Sequence, residues 1–158
     1  MTTQERSILG AQPFLRGLPP GPLATLAGLC RHVAVPRGQR LFEEGSMASR
    51  FWLIDAGQVA LDVFVPGQGL VQIERLGRGD VIGLSWMLPP YQWRFGAVAT
   101  QRMQAFEFDA PAVRTACDAD PALGYELSRR FTGIVVHRLQ ATRLRLLEAC
   151  SAPADMTS

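Results

Sequence analysis

Glycines at positions 38, 45, 57, 67, 69, 77, 79 and 83 punctuate the chain, and the runs between them are short and rich in β-branched or aromatic residues. Such spacing defeats a long helix, because each interior glycine costs about 1 kcal/mol there. It suits tight turns, where glycine adopts positive φ without steric penalty. The pattern from about 33 to 109 therefore predicts an antiparallel β-roll or barrel. FWLIDAGQVALDVF (51–64) reads as two strands around a turn at Asp55-Ala56-Gly57, VQIERL (71–76) as a third, and RFGAVATQRMQAFEFD (94–109) as two more.

Helical patterns flank this region. Residues 13–31 place Leu23, Leu26, Ala27 and Cys30 at helical spacing after a Pro-Gly-Pro start, which predicts a short amphipathic helix with His32 at its end. Residues 110–120 read as a second helix. Pro121, with Asp120 as cap, opens a long third one over 121–150. On it Leu127, Phe131, Val135, Leu139, Thr142 and Leu146 form one stripe, and Ile134, Ala141, Leu144 and Leu147 widen it. A helix apolar on two sides has two neighbours, so a homodimer through this helix is expected; the alternative is docking onto its own domain alone. The expected organisation is an N-terminal tail over 1–12, one domain over 13–150 and a tail over 151–158, in the α+β class: a β-roll of the jelly-roll type between an N-terminal helix and two C-terminal ones. With 158 residues, 47% of them hydrophobic, one core is affordable and two would be strained.

The chemistry available is limited. All 16 basic residues are arginine, and neither lysine nor asparagine occurs. This excludes a Schiff-base lysine, a phosphate-loop GK[ST] and a Cys-His-Asn triad. Cys30, Cys117 and Cys150 are odd in number and far apart, so neither a disulfide framework nor a zinc or other metal site follows, and Cys150 is the candidate for an exposed thiol. In Gly83-Leu84-Ser85-Trp86-Met87 the second glycine of a nucleophile elbow is replaced by Met87, and no histidine lies near in sequence. No catalytic residue is identified and no enzyme is expected. The start of the chain lacks a secretory pattern and no run reaches eighteen apolar residues, so a cytoplasmic protein without membrane attachment is expected.

GQRLFEEGSMASRFWLIDAGQVAL (38–61) closely resembles the signature of the cyclic nucleotide-binding domain, the sensor of catabolite-activator-type (Crp/Fnr-like) regulators. Gly38, Leu41-Phe42, Gly45, the strand Phe51–Ile54 and Gly57 fall in register, and LGRGDVIG (76–83) is similar to the family's L-x-x-G-D-x-F-G. The resemblance implies a regulatory or sensor module with a phosphate-binding cassette over 83–98. Its candidate ligand-binding residues are Gly83, Leu84, Ser85, Arg94 and Phe95, and its candidate ligand is a cyclic nucleotide or another small anion. A guanidinium suits a phosphodiester because it gives a planar, charge-assisted grip. Three departures alter that site: Leu84 replaces the ribose-binding Glu, bulky Phe95 follows Arg94, and Ala97 stands where Thr is common. Arg94 alternatively pairs with Asp80 or Glu74, or reaches solvent. The segment from Trp86 to Trp93 reads either as an exposed docking surface for a protein partner or as a rigid loop over the roll, and a ligand-free scaffold is the alternative function. Crp/Fnr-like regulators continue into a helix-turn-helix domain, and with the sequence ending at 158 no sequence-specific DNA binding by this chain alone is expected.

Overall fold

The computed structural model describes residues 1–151, so all but the first residue of the tail expected over 151–158 lies outside the described residues. Eight strands form two antiparallel four-stranded sheets. They are β1 (Cys30–Val35), β2 (Arg40–Phe42), β3 (Arg50–Ala56), β4 (Val59–Val65), β5 (Gly69–Leu76), β6 (Val81–Ile82), β7 (Gly96–Ala99) and β8 (Met103–Asp109). One sheet has the order β1-β8-β3-β6 and the other β2-β7-β4-β5. This is the α+β β-roll that the glycine spacing predicts.

Burial follows position in the sheets. β3 lies between β8 and β6, and Phe51, Trp52, Leu53 and Ile54 are all buried, as a strand covered on both faces requires. β5 is an edge strand whose Leu70 and Ile73 are exposed. The turn from β3 to β4 needs its glycine twice over. Gly57 has φ +93°, and a Cβ there would overlap the Arg102 carbonyl oxygen.

Four α-helices accompany the roll: α1 (Thr3–Gly10), α2 (Pro20–Ala27), α3 (Ala110–Ala119) and α4 (Pro121–Cys150). Residues 1–12, expected as a tail, instead contain α1. A capping box forms it: Thr2 Oγ1 accepts from Glu5 N at 3.1 Å while Thr2 N donates to Glu5 Oε2 at 2.7 Å, and Leu9 is fully buried. The helix expected over 13–31 shortens to Pro20–Ala27, because Gly28 terminates it, and a separate 3-10 turn covers Pro13–Leu15. Cys30 and His32 consequently lie on β1 rather than on a helix.

Asp109 Oδ1 caps α3 by accepting from Ala112 N at 3.1 Å. Asp120 Oδ1 caps α4, accepting from Ala122 N at 3.2 Å and Leu123 N at 3.4 Å, as the sequence predicts. By its internal contacts the described chain falls into two compact units, one over Met1–Gly124 and one beginning at Tyr125. In the second unit Leu127 and Phe131 are buried, whereas Val135, Leu139, Leu144, Leu146 and Leu147 are exposed. Among the described residues no helix is long and apolar enough to cross a membrane.

Candidate functional site

The segment from Gly83 to Phe95 leaves β6, makes one 3-10 turn at Ser85–Met87 and returns to β7. Gly83 starts it at φ +107°, and a Cβ there would lie 2.6 Å from the Trp93 ring and 3.2 Å from Phe51 Cβ. Only glycine permits both the backbone and that approach. Trp86 is 2% exposed, donates Nε1–H to the Gly83 carbonyl at 3.2 Å and stacks on Phe51, which stacks on Phe108. The returning arm is a ribbon against residues 45–48: Ala48 N donates to Tyr91 O, Trp93 N to Ser46 O and Gly45 N to Trp93 O, at 2.7–2.9 Å.

Trp93, also 2% exposed, lies nearly parallel to Phe42 with centroids 3.7 Å apart, and Phe95 leans on both rings. The exposed docking surface considered for Trp86–Trp93 is therefore not what forms. Both indoles are core, and only the intervening loop carries exposed apolar surface, at Leu88. Stacking of this kind contributes about 0.5–1.5 kcal/mol per pair beyond area burial. Arg114 of α3 fastens the loop from the other side, donating from Nη1 to the Trp86 carbonyl at 2.6 Å while its guanidinium sits 4.1 Å above the Tyr91 ring.

Leu84, Ser85 and Arg94 come together around a cavity of about 290 Å³, with Leu88, Pro89, Pro90 and Gln92 completing its wall. Gly83 and Phe95 do not line it and belong to the aromatic cluster. Arg94 is exposed and makes no hydrogen bond or ion pair among the described residues, and Asp80, one partner considered for it, accepts from Gly77 N at 2.8 Å. A larger hollow of about 640 Å³ lies elsewhere, beside β1 and β3. The arginines that line it, Arg31 and Arg50, both reach Glu107.

Sequence reasoning missed a second guanidinium. Arg40 of β2 grips Asp62 of β4 with two parallel hydrogen bonds, Nη1 to Oδ2 at 3.0 Å and Nη2 to Oδ1 at 2.7 Å. Those bonds hold the Arg40 guanidinium above its usual range. Its Nε lies 2.9 Å from Glu43 Oε1, an ion pair without hydrogen-bond alignment. Gly96, two residues after Arg94, makes room for the grip, since a Cβ there would overlap Arg40 Nη2 and sit 2.6 Å from Asp62 Oδ1. The signal available was Asp62 itself, a lone acid within the apolar run Val59–Val65.

The arrangement offers one unengaged cation beside a short turn and a packed aromatic floor, and among the described residues no nucleophile there is paired with a base. Residues 32–120 match the family model of the cyclic nucleotide-binding domain, which is more than half of the chain. The chain belongs to the cyclic nucleotide-binding domain family. This cyclic nucleotide-binding domain shares its fold with many solved structures. One, from Geobacter metallireducens and named for cyclic nucleotide binding, is 24% identical, with a TM-score of 0.76 over 88% of this chain and 99% of that one. A cyclic nucleotide-binding domain from Methylobacillus flagellatus is 20% identical, with a TM-score of 0.78 over 95% and 85%. The catabolite activator protein of Thermus thermophilus is 19% identical, with a TM-score of 0.68, and the domain spans 61% of its length. No curated protein matches the sequence.

Proposed function

We propose that this domain is a non-catalytic regulatory module whose cassette binds a small anion through Arg94 and has lost the family's ordinary grip on a nucleotide ribose. The observation that carries the reading is the cavity wall itself. Arg94 supplies a free charge, but Leu84 beside it has no acceptor for a 2′-hydroxyl. At about 290 Å³ the cavity falls just below the usual range of small-ligand sites, which starts near 300 Å³. The neighbouring interior is occupied by Trp86, Trp93 and the Arg40–Asp62 pair.

Titration calorimetry with cyclic AMP, cyclic GMP and cyclic di-GMP tests this. Weak binding or none is expected from the native chain. Leu84→Glu restores the missing acceptor and should tighten cyclic AMP binding by about tenfold or more, the value of one hydrogen bond to a charged group. Submicromolar cyclic AMP binding that survives Arg94→Ala would refute the reading.

The module acts as a homodimer through α4. Val135, Leu139, Thr142 and Leu146 follow a three-and-four spacing, and the three apolar members are 48–62% exposed. That spacing is the seam of a two-helix coiled coil. Light scattering should give twice the chain mass for the native protein and a single mass for Leu139→Glu. A native protein that is monomeric at several hundred micromolar excludes this assembly.

A further inference from the structure

Both ring nitrogens of His32 on β1 face carboxylates. Nε2 lies 3.3 Å from Asp55 Oδ2 on β3, and Nδ1 lies 4.0 Å from Glu5 Oε1 on α1. A carboxylate only accepts hydrogen bonds, whereas a neutral imidazole has one N–H and one lone pair. Neutral His32 therefore serves one carboxylate and turns a lone pair towards the other; the imidazolium turns an N–H to each, hydrogen-bonding Asp55 at 3.3 Å and forming an ion pair with Glu5 at 4.0 Å.

The two carboxylates are held differently. Asp55 is part of the sheet, and its Oδ1 accepts from Gln12 Nε2 at 3.4 Å. Gln12 is 4% exposed, and its amide cannot turn over without setting its carbonyl oxygen against Asp55. Glu5 belongs to α1, and its other oxygen is engaged in the capping box with Thr2. That hydrogen bonding, and secondly the charge at His32, keeps the Glu5 carboxyl below its usual range. Phe106 of β8 packs its ring 5.0 Å from the imidazole, the Met1 amino group acts on Glu5, and Cys30, two residues earlier on β1, keeps its proton because burial raises its thiol to about 11.

We infer that His32 is a proton-operated latch fastening α1 to the β-roll: the imidazolium bridges Glu5 of α1 and Asp55 of β3, and on giving its proton to water the ring keeps Asp55 and releases Glu5. Helix α1 is thereby held more tightly in mildly acidic than in mildly basic solution, independently of any ligand at the cassette.

Hydrogen–deuterium exchange of the full chain at pH 5.5 and pH 8.0, corrected for intrinsic exchange, reads the latch at residues 3–10. The expected protection of α1 is about threefold greater at pH 5.5, within the range for a partly exposed ion pair. Glu5→Gln keeps the capping box, which accepts either residue, and should abolish the pH difference. His32→Gln should abolish it as well. Equal protection of native α1 at the two pH values would overturn the latch, and so would a pH difference that persists undiminished in Glu5→Gln.

Discussion

Replacing Arg40 with methionine removes both hydrogen bonds from Asp62 while keeping a side chain of similar reach. Asp62 is 7% exposed, so its carboxylate has little access to replacement water. Breaking a buried ion pair by deleting one partner costs about 3–5 kcal/mol, because the remaining charge is uncompensated. Here only the acid is fully enclosed: the Arg40 side chain is 27% exposed, and its other partner, Glu43, is 68% exposed. That places the expected loss near the lower end, about 3 kcal/mol. For a chain of this size the loss corresponds to a fall in melting temperature of about 10 °C. Urea unfolding followed by far-ultraviolet circular dichroism measures it. The double variant Arg40→Met with Asp62→Leu buries no charge and should recover at least about 2 kcal/mol relative to Arg40→Met alone. If Arg40→Met costs less than about 0.5 kcal/mol, or if the two single losses simply add, the pair is not the buried, coupled contact described.

Three further outcomes follow from local geometry. Gly83→Ala forces a methyl against a Trp93 ring already stacked on Phe42, at a φ unfavourable to alanine, and should destabilise the roll by about 3 kcal/mol in the same urea assay. A loss below about 1 kcal/mol would mean that the ring yields freely. Iodoacetamide labelling followed by mass spectrometry at pH 8 should modify exposed Cys150 well before Cys30. Because burial raises the Cys30 thiol to about 11, the folded chain keeps a proton that the unfolded chain releases near 9. The linked stability is complete below pH 9 and declines as the pH rises from 9 to 11. Stability that declines across that window in the native chain but is flatter in Cys30→Ala supports the assignment, and the same slope in both refutes it.

The roll was legible because its information is local. Gly57 announces a tight turn from within its own few residues, and Asp109 and Asp120 cap helices that begin at the next position. The capping box at Thr2 and Glu5 is equally local, a Thr followed three residues later by a Glu. The loop from Gly83 to Phe95 was legible in position but not in packing. The family resemblance singled out Gly83 and Arg94 along it, yet the fate of Trp86 and Trp93 depended on Phe51, Phe108 and Phe42, which arrive from other strands. The Arg40–Asp62 grip joins residues 22 positions apart through β7, a relation no periodicity encodes. His32 was misplaced for the simpler reason that a helix was extended past Gly28.

The burial of the cassette's indoles has an optical consequence. The chain has three tryptophans, Trp52, Trp86 and Trp93, each at most 4% exposed, and Gly83 touches both the Trp93 ring and Phe51, on which Trp86 stacks. Trp52 and Trp93 have centroids 6.2 Å apart, close enough for their excited states to interact. Intrinsic emission from the whole protein therefore originates at or beside one loop. An event that parts the loop's two arms would red-shift that emission and weaken the near-ultraviolet dichroism, with no dye attached and no background from indoles elsewhere.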